Sequence, residues 1–419
     1  MIKSFECENF RNVSCNELDL ARINILIGPN NAGKSNFIRA LSFAANMMRP
    51  HPSETSGFLS ELKRNGWDAV INRQADDKHS FKLVWKFELM AEHPVVYTLK
   101  VHTGSRRGDN YIEQEALDSE KSKEGFSQPY NFFECHSSCL GKGEFSTAGM
   151  QNKQNRRLKA EVNPNESVLR QMDNLFFENK EMFSTLFVRE NIRDVLESMR
   201  KYFRGFYSYS CTAFNITAIR EMQDEQADGE YLQKDGSNFV NVFVNAEEKD
   251  VHFKDRFCDA LKKLGGNCTD VRIKKGGGKI WMEIKIDDCY FPLSEVSDGT
   301  IHLLLLLLML NLPEDGGISM LAIDEPEMNL HPAWQKMLAA EILRCPNFKQ
   351  CFISTHSSDF LDEFTEEFLE GNVNVFVFDS SSRVSLRLLN REELRTELSD
   401  WTLGDLYRIG DPVIGGWPQ

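Results

Sequence analysis

The chain has 419 residues, of which 41% are hydrophobic, with 30 Phe and only 13 Pro. This composition excludes a disordered or low-complexity protein, and the length allows two or three domains or one large domain with an insertion. The net charge of -14 repels polyanions at long range, so any nucleic-acid contact must be local or belong to a partner.

Several features predict a cytoplasmic protein that does not enter a membrane. The first residues lack a basic stretch followed by an apolar core, so no secretory signal is expected. The longest apolar run, Leu303 to Leu310, is far shorter than the ~20 residues of a membrane span. The 10 cysteines are scattered singly, which is typical of reduced thiols. Cys135, His136 and Cys139 lie close together, but no second ligand pair at zinc-like spacing follows them.

Residues 1–102 are predicted to form the first lobe of an α/β domain. A polar turn at Arg11 to Asn16 is flanked by the apolar residues Ile2, Phe5, Leu18 and Leu20, which indicates a hairpin. Ile23 to Ile27 form a β-branched run typical of a buried strand. Apolar residues from Ser35 to Met48 have helical spacing. Strands with one buried face are predicted over 81–89 and 95–101.

Residues 103–270 are predicted to be an insertion that is first loop-rich and then helical. Between Thr103 and Ala160 the chain is rich in Gly, Ser, Lys and Glu and poor in β-branched residues, which indicates loops. Residues 165–204 recover an apolar stripe at helical spacing, which includes Met182, Phe183, Leu186 and Phe187, so a helical subdomain is expected there.

Residues 271–419 are predicted to form a second lobe. Val271 to Ile286 contain a triple-glycine turn and are expected to form a hairpin. The predicted elements then alternate: helix 301–312, strand 320–323, helix 332–343, strand 350–354 and, after a further helix, strand 373–378. Strands that alternate with helices imply a mostly parallel sheet.

The segment Gly28 to Ser35 matches the eight-position phosphate-binding loop, and it lies between a strand and a helix as that loop requires. Lys34 is expected to reach the β- and γ-phosphates, and Ser35 to offer its hydroxyl to Mg²⁺. The alternative, a chance glycine-rich turn, is disfavoured by the flanking elements. The nucleotide-binding residues predicted here are Asn30, Asn31, Ala32, Gly33, Lys34, Ser35 and Asn36.

A second acidic motif follows the apolar strand Met320 to Ile323. Asp324 at its end is expected to hold Mg²⁺ through water, and Glu325 to orient or deprotonate the attacking water. Glu327 completes the carboxylate cluster that we assign to the nucleotide. The alternative, a solvated acidic turn, is disfavoured because the preceding strand is intensely apolar.

Two further segments complete the pattern. Ser297 to Thr300 precede a leucine-rich helix, where small residues let a helix N-terminus approach a phosphate. His356 follows a predicted strand, at the end of the sheet where α/β folds bind ligands. Taken alone, the first is typical of a helix N-cap and the second of a structural histidine. Because the same chain also carries a phosphate loop and an Asp-Glu strand, we interpret these two segments as further parts of the same site.

Together these motifs resemble the ABC-class ATPases of the OLD, RecF and SMC group, and within it the stand-alone OLD-type ATPases that bacteria carry under the name AAA family ATPase. The resemblance covers the two ends of the chain, and the middle corresponds to the variable insertion of the group. The matching segments are Glu8 to Asn12, Gly28 to Ser35, Ser297 to Thr300, Asp324 to Glu327, Asn329 to Pro332 and Thr355 to Ser357.

The resemblance implies an α/β fold: a split ABC-type P-loop ATPase head with a mostly parallel sheet, an N-terminal antiparallel β layer and a largely helical insertion. It also implies ATP and Mg²⁺ as cofactors and hydrolysis to ADP and phosphate. Two heads would dimerise head to tail and trap ATP between them, with Ser297 and Gly299 completing the site of the partner. Met328 to His331 would be the D-loop.

The resemblance assigns roles to three more residues: His356 would sense the γ-phosphate, and Arg11 and Asn12 would lie near the adenine. The chain also departs from the family pattern. Asp298 and Thr300 stand where transporters carry Gly and Gln, and Gln74 is the candidate Q-loop residue. No heptad segment predicts a coiled-coil arm. The residues after His356 contain no Asp-x-Asp pair, so no TOPRIM nuclease domain is expected.

The resemblance further implies a nucleotide-gated sensor or scaffold subunit that controls a separate effector, usually a nuclease, in anti-phage defence systems such as PARIS, Septu and some retrons. The alternative is a RecF-like repair or replication clamp that grips duplex DNA. A kinase or GTPase switch is disfavoured because no guanine-specific motif or acceptor lid is found. The clamp hypothesis depends on two basic patches, for which solvated charge is the favoured interpretation: Lys153, Arg156, Arg157 and Lys159, and Arg272, Lys274, Lys275 and Lys279.

Overall fold

The computed structural model describes residues 1–48, 57–66, 69–88, 94–104, 109–122, 129–138, 143–151, 154–178, 192–264, 266–312, 318–379 and 385–415. The strands in this part of the chain are β1 (Ile2–Phe10), β2 (Val13–Asp19), β3 (Ile23–Ile27), β4 (Ser80–Phe87), β5 (Val95–His102), β6 (Tyr111–Ser119), β7 (Asn131–Ser137), β8 (Gly143–Gln151), β9 (Gln154–Val162), β10 (Phe206–Ser210), β11 (Gln223–Asp224), β12 (Cys268–Gly276), β13 (Lys279–Ile286), β14 (Cys289–Pro292), β15 (Met320–Asp324), β16 (Gln350–Ser354), β17 (Val373–Asp379) and β18 (Ser385–Leu388). The α-helices are α1 (Lys34–Met47), α2 (Gly57–Asn65), α3 (Val168–Glu178), α4 (Ile192–Arg204), α5 (Ile216–Arg220), α6 (Phe239–Lys249), α7 (Phe253–Leu264), α8 (Asp298–Asn311), α9 (Pro332–Arg344), α10 (Ser358–Asp362), α11 (Thr365–Glu370), α12 (Arg391–Leu394) and α13 (Leu403–Ile409).

The chain divides into two compact units. The first contains residues 1–21, 30–206 and 378–387, and the second contains residues 22–29, 207–377 and 388–419. The phosphate-loop motif crosses the division between its second and third residues. The predicted domain limits at residues 102 and 270 stay a prediction.

The first unit is built on an eight-stranded antiparallel sheet with the order β2-β1-β4-β5-β6-β7-β8-β9. The predicted N-terminal hairpin is confirmed, because β1 and β2 pair across the turn between Phe10 and Val13. Aromatic residues of α1 pack against β1: the ring centroids of Phe37 and Phe5 are 5.5 Å apart, and those of Phe43 and Phe10 are 6.0 Å apart. Alternating buried side chains on β4 and β5 form the core beneath this helix.

The loops expected between residues 103 and 160 are a wrong prediction. The structure places strands β6, β7, β8 and β9 there, and they extend the antiparallel sheet beyond β5. A strand in such a sheet needs backbone pairing with its neighbours and can form without many β-branched residues, because strand propensity depends strongly on context. The polar composition that indicated loops is therefore compatible with strands.

The helices predicted after residue 165 are confirmed in the part that is described. Helices α3 and α4 both lie in the first unit. The predicted apolar residues Met182, Phe183, Leu186 and Phe187, between these helices, lie outside the described residues.

A buried carboxylate joins the antiparallel sheet to the start of α3. Glu115 on β6 accepts hydrogen bonds from the Tyr97 hydroxyl at 2.9 Å, from the Ser167 hydroxyl at 2.8 Å and from the backbone N–H of Val168 at 2.8 Å. Burial raises the pKa of Glu115, an effect that these three donors oppose. The carboxylate thereby satisfies an N–H group at the first turn of α3.

The second unit contains strands β15, β16 and β3 and most of β10 and β17, which belong to a six-stranded sheet with the order β10-β15-β16-β3-β17-β18. Strands β15, β16, β3 and β17 pair in parallel, which confirms the predicted α/β fold with a mostly parallel sheet. All five residues of β3 are buried, as its β-branched run indicates. A smaller antiparallel sheet contains the predicted hairpin of β12 and β13.

The leucine-rich helix α8 belongs to the core of the second unit. Every residue from Thr300 to Asn311 is buried, so the helix has no polar face toward water beyond its first turn. Among the described residues, no helix combines the length and the apolar character needed to cross a bilayer.

We expect Glu115→Ala to lower the free energy of unfolding by about 3 kcal/mol, because three buried donors lose their acceptor. The control is Glu113→Ala on the same strand, which removes a half-buried ion pair with Lys100 and should change stability by less than about 1 kcal/mol. Urea unfolding followed by circular dichroism measures both variants. Equal losses for the two variants would show that the buried network does not stabilise the sheet.

Candidate nucleotide-binding site

The phosphate loop leads directly into α1. Gly33 is the N-cap residue with φ +113, and Lys34 is the first residue of the helix. A Cβ atom at Gly33 would lie 3.3 Å from the side chain of Asn12, and the positive φ is itself unfavourable for other residues. Within the part of the chain that the structure describes, no side chain caps the helix at Gly33. The loop is therefore built as an anion site requires, with backbone N–H groups and the positive end of the helix dipole at the same place.

Asn12 braces the phosphate loop from the adjoining hairpin. Its Nδ2 donates to the carbonyl oxygen of Asn31 at 3.2 Å, and its Oδ1 accepts from Nδ2 of Asn36 at 2.7 Å. Its predicted neighbour Arg11 donates to the carbonyl oxygen of Asn65 at 2.6 Å. The adenine contact of Arg11 and Asn12 stays a prediction, whereas the bracing contacts of Asn12 were not anticipated from the sequence.

In the second unit, Asp324 lies at the C-terminal end of β15 with hydroxyl groups on both sides. Ser354, on the neighbouring strand β16, donates to its Oδ1, and Ser210, on the other neighbouring strand β10, donates to its Oδ2 at 3.5 Å. Carboxylate and hydroxyl oxygens are suitable neighbours for a hydrated Mg²⁺ ion. Sequence reasoning missed both serines, although Ser354 ends a strand that was predicted correctly.

Glu325 and His356, the two predicted catalytic residues, lie close together. Oε1 of Glu325 is 3.9 Å from Nε2 of His356, and both side chains are partly exposed. The backbone N–H of Glu325 donates to the carbonyl oxygen of Ser354 at 3.0 Å, and the residue has a φ of +57. A left-handed backbone at a residue other than glycine costs free energy and is frequent at functional sites.

Glu327 holds the segment that carries His356. Its Oε1 accepts from the Thr355 hydroxyl at 2.9 Å and from the backbone N–H of His356 at 2.7 Å. Its Oε2 is buried and has no hydrogen-bond partner among the described residues. Burial raises the pKa of Glu327. Glu327 was predicted to belong to the carboxylate cluster at the nucleotide. Its contacts show that it also fixes the backbone of His356, the predicted γ-phosphate sensor.

The predicted signature residues begin α8. Ser297 is the N-cap, and its Oγ accepts from the backbone N–H of Thr300 at 3.2 Å. The N-cap interpretation of this segment is therefore confirmed, and its contact with a nucleotide stays a prediction. A Cβ atom at Gly299 would lie 2.5 Å from the carbonyl oxygen of Asn329, so this position requires glycine. The structure thereby brings the predicted signature and the predicted D-loop into contact.

The other candidate sites receive less support. On the basic hairpin, Arg272 pairs with Glu283 at 2.6 Å and Lys275 with Glu225 at 2.8 Å. Cys135 and His136 lie on β7. Cys139, Lys153 and the side chains of Arg156 and Arg157 lie outside the described part of the chain.

Comparison with known proteins identifies a family and a fold. The family model AAA_15, described as AAA ATPase domain, matches residues 1–361. A search of curated proteins found no match. The chain is similar to a solved structure of the SmcHead bound to the C-winged helix domain of ScpA, with a TM-score of 0.53 and 12% identity over 94% of this chain and 99% of that one. It also matches a Pyrococcus furiosus Smc head domain with an extended coiled coil, at a TM-score of 0.48 and 11% identity over 95% and 98%. The first similarity shows a fold like that of an SMC head.

We expect Glu327→Ala to lower the free energy of unfolding by about 2 kcal/mol, since the Thr355 hydroxyl and the His356 N–H lose their acceptor. The matched variant Glu327→Gln keeps an acceptor oxygen and should lose less than about 1 kcal/mol. Urea unfolding at neutral pH distinguishes them. Equal losses would mean that the negative charge of Glu327, and not its role as an acceptor, is what matters.

Proposed function

Because the chain belongs to the AAA_15 family of AAA ATPase domains, we propose that it binds ATP with Mg²⁺ and hydrolyses it to ADP and phosphate. The observation that carries this proposal is the pair of Glu325 and His356, 3.9 Å apart, beyond the ends of the neighbouring parallel strands β15 and β16. A carboxylate that can accept a proton from water, next to an imidazole that can contact phosphate, is an arrangement suited to phosphoryl transfer to water.

In this proposal, each residue of the site has a separate role in ATP binding or hydrolysis. Residues 30–36 bind the phosphates through backbone N–H groups, and Lys34 supplies a positive charge. Ser35 and Asp324 would hold Mg²⁺, which when bound neutralises charge on the phosphate oxygens. Glu325 orients the attacking water and accepts its proton, and His356 lies at the γ-phosphate end. Glu327 holds the backbone of His356 in place.

We further propose that two chains act together, head to tail, with Ser297 and Gly299 of one chain completing the site of the other. Ser297 and Asp298 are exposed and Gly299 is partly exposed, so the N-terminus of α8 is accessible to a second chain. Arg220 pairs with Asp298 at 2.8 Å beside this exposed turn. ATP binding and hydrolysis would then control association and release.

The output of this switch is proposed to be a separate effector, a nuclease in an anti-phage defence system. The resemblance of the motifs to OLD-type ATPases supports this. A head of similar fold is known in complex with a protein partner, the C-winged helix domain of ScpA. The alternative, a RecF-like clamp on duplex DNA, has weaker support, because Arg272 and Lys275 are each paired with a carboxylate.

We expect Lys34→Ala to abolish ATP binding, whereas Glu325→Gln should bind ATP and accumulate as a dimer. The first variant loses the positive charge at the phosphates, and the second loses only the group that activates water. Calorimetric titration with ATP and light scattering with ATP and Mg²⁺ measure the two effects. If Glu325→Gln with ATP has the same mass as Lys34→Ala, the head-to-tail mechanism is wrong.

The purified chain should hydrolyse ATP and leave DNA and RNA intact with Mg²⁺ or Mn²⁺, because Asp324, Glu325 and Glu327 are engaged at the nucleotide site. DNA binding should be weak and should fall steeply as salt rises, given the net charge of -14. Nuclease assays and filter binding measure both. Metal-dependent cleavage that persists in Lys34→Ala would contradict the proposal of a separate effector, and tight duplex binding would favour the clamp.

A further inference from the structure

We propose that Gln335, one turn into α9, is a positioning residue that holds Glu325 and His356 in place for ATP hydrolysis. Its side-chain amide joins the loop between β15 and α9, residues 325–331, to the residue that follows His356. The proposal rests on the ATPase function proposed above. All of these residues belong to the second unit.

The amide of Gln335 is hydrogen-bonded through both its nitrogen and its oxygen. Its Nε2 donates to the carbonyl oxygen of Leu330 at 2.9 Å and, at the longer distance of 3.4 Å, to that of Glu327. Its Oε1 accepts from the hydroxyl of Ser357 at 2.5 Å. Because a carbonyl oxygen can only accept, the amide nitrogen must face the β15–α9 loop, and the amide oxygen must face Ser357. Gln335 therefore acts as donor and acceptor at once.

Ser357 uses both functions of its hydroxyl group. Its Oγ accepts from the backbone N–H of Phe360 at 3.1 Å, as the N-cap of α10. The single hydroxyl proton is then free to be donated to Gln335. This bond therefore ties the start of α10, immediately after His356, to α9.

The loop that Gln335 supports contains two residues with left-handed backbone. Glu325 has a φ of +57, and Asn329 has a φ of +60. This conformation costs free energy for residues other than glycine, although less for asparagine. Such residues keep their conformation only where the surrounding structure holds them. The two bonds that Gln335 donates to this loop supply that support from a neighbouring helix.

The same bonds fix the backbone on both sides of His356. The backbone N–H of His356 donates to Oε1 of Glu327 at 2.7 Å, and Ser357 donates to Gln335. Gln335 in turn donates to the backbone of Glu327, so the contacts close a ring. His356 projects from this ring with its Nε2 3.9 Å from Oε1 of Glu325. The ring thus sets the position at which the two predicted catalytic side chains meet.

Loss of the amide should slow hydrolysis rather than weaken ATP binding. Gln335 bonds to the segments that carry Glu325 and His356, whereas the phosphates are proposed to bind to residues 30–36. A small displacement of groups that act in the transition state lowers kcat strongly. It leaves Kd nearly unchanged when those groups contribute little to binding of the substrate itself.

The test compares Gln335→Met with Asn347→Leu. Asn347 is also a partly exposed amide in the second unit, and its Nδ2 donates to the carbonyl oxygen of Leu310 at 2.6 Å. Each substitution removes the amide and keeps a side chain of similar size. Gln335→Met should lower kcat about tenfold or more, with the Kd for ATP changed by less than about twofold. Asn347→Leu should leave kcat and Kd unchanged. Thermal unfolding establishes that both variants are folded.

A third variant separates the donor from the acceptor. Gln335→Glu keeps an oxygen that can accept from Ser357, but it presents a carboxylate oxygen to the two carbonyl groups that the amide nitrogen contacts. Its kcat should fall at least as far as that of Gln335→Met, because two acceptors that face each other repel. Wild-type kcat in Gln335→Glu would show that the bonds to the β15–α9 loop do not position the catalytic groups.

The outcomes distinguish this inference from the proposed function. An unchanged kcat in Gln335→Met, or an equal loss in Asn347→Leu, overturns the positioning role of Gln335 while the ATPase proposal stands. A loss that appears only in the Kd for ATP overturns it as well. If the wild-type chain itself hydrolyses no more ATP than Lys34→Ala, the proposed function fails, and this inference fails with it.

Discussion

The parallel register of β15, β16 and β3 is the constraint on which the candidate catalytic centre of the second unit depends. Asp324 pairs with Ser354, and Ser354 pairs with Leu26, so these three strands end at the same level. All residues of β3 and β16 are buried, and most of them are apolar. The ionisable groups of the candidate site therefore lie at or beyond the strand ends. Glu325 and His356 each follow one of these ends, and their proximity is a consequence of the register.

The ends of these strands were predictable because local signals were strong. The short apolar runs and the residues after them identified Asp324, Glu325 and His356 without any knowledge of pairing. The contacts that hold them were not predictable. Ser210 is 114 residues from Asp324, and Glu327 is 29 residues from His356, and no periodic pattern links residues at such separations. Tertiary contacts of this kind become visible only when strand order is known.

In the middle of the chain, even the local elements were not predictable from the sequence. Strands β8 and β9 pair over nine positions, from Gly143 with Val162 to Gln151 with Gln154, although their sequence is polar. Backbone pairing with a neighbouring strand defines them as strands, and composition carries little information about such pairing. By contrast, the aromatic strands β4 and β5 were predicted correctly, because their alternately buried side chains produce an alternating apolar pattern in the sequence.

The position of β3 in the chain has a consequence for how the protein is made. This strand occupies residues 23–27, but its parallel partners lie at residues 350–354 and 373–377. At a synthesis rate of about 5–20 residues per second, β3 waits on the order of tens of seconds for a partner. Contacts of such long separation also form slowly. A ribosome must therefore translate the chain to residue 350 before β3, the strand that precedes the phosphate loop, can begin to pair with its first parallel partner, and until then that apolar strand lacks its native neighbours.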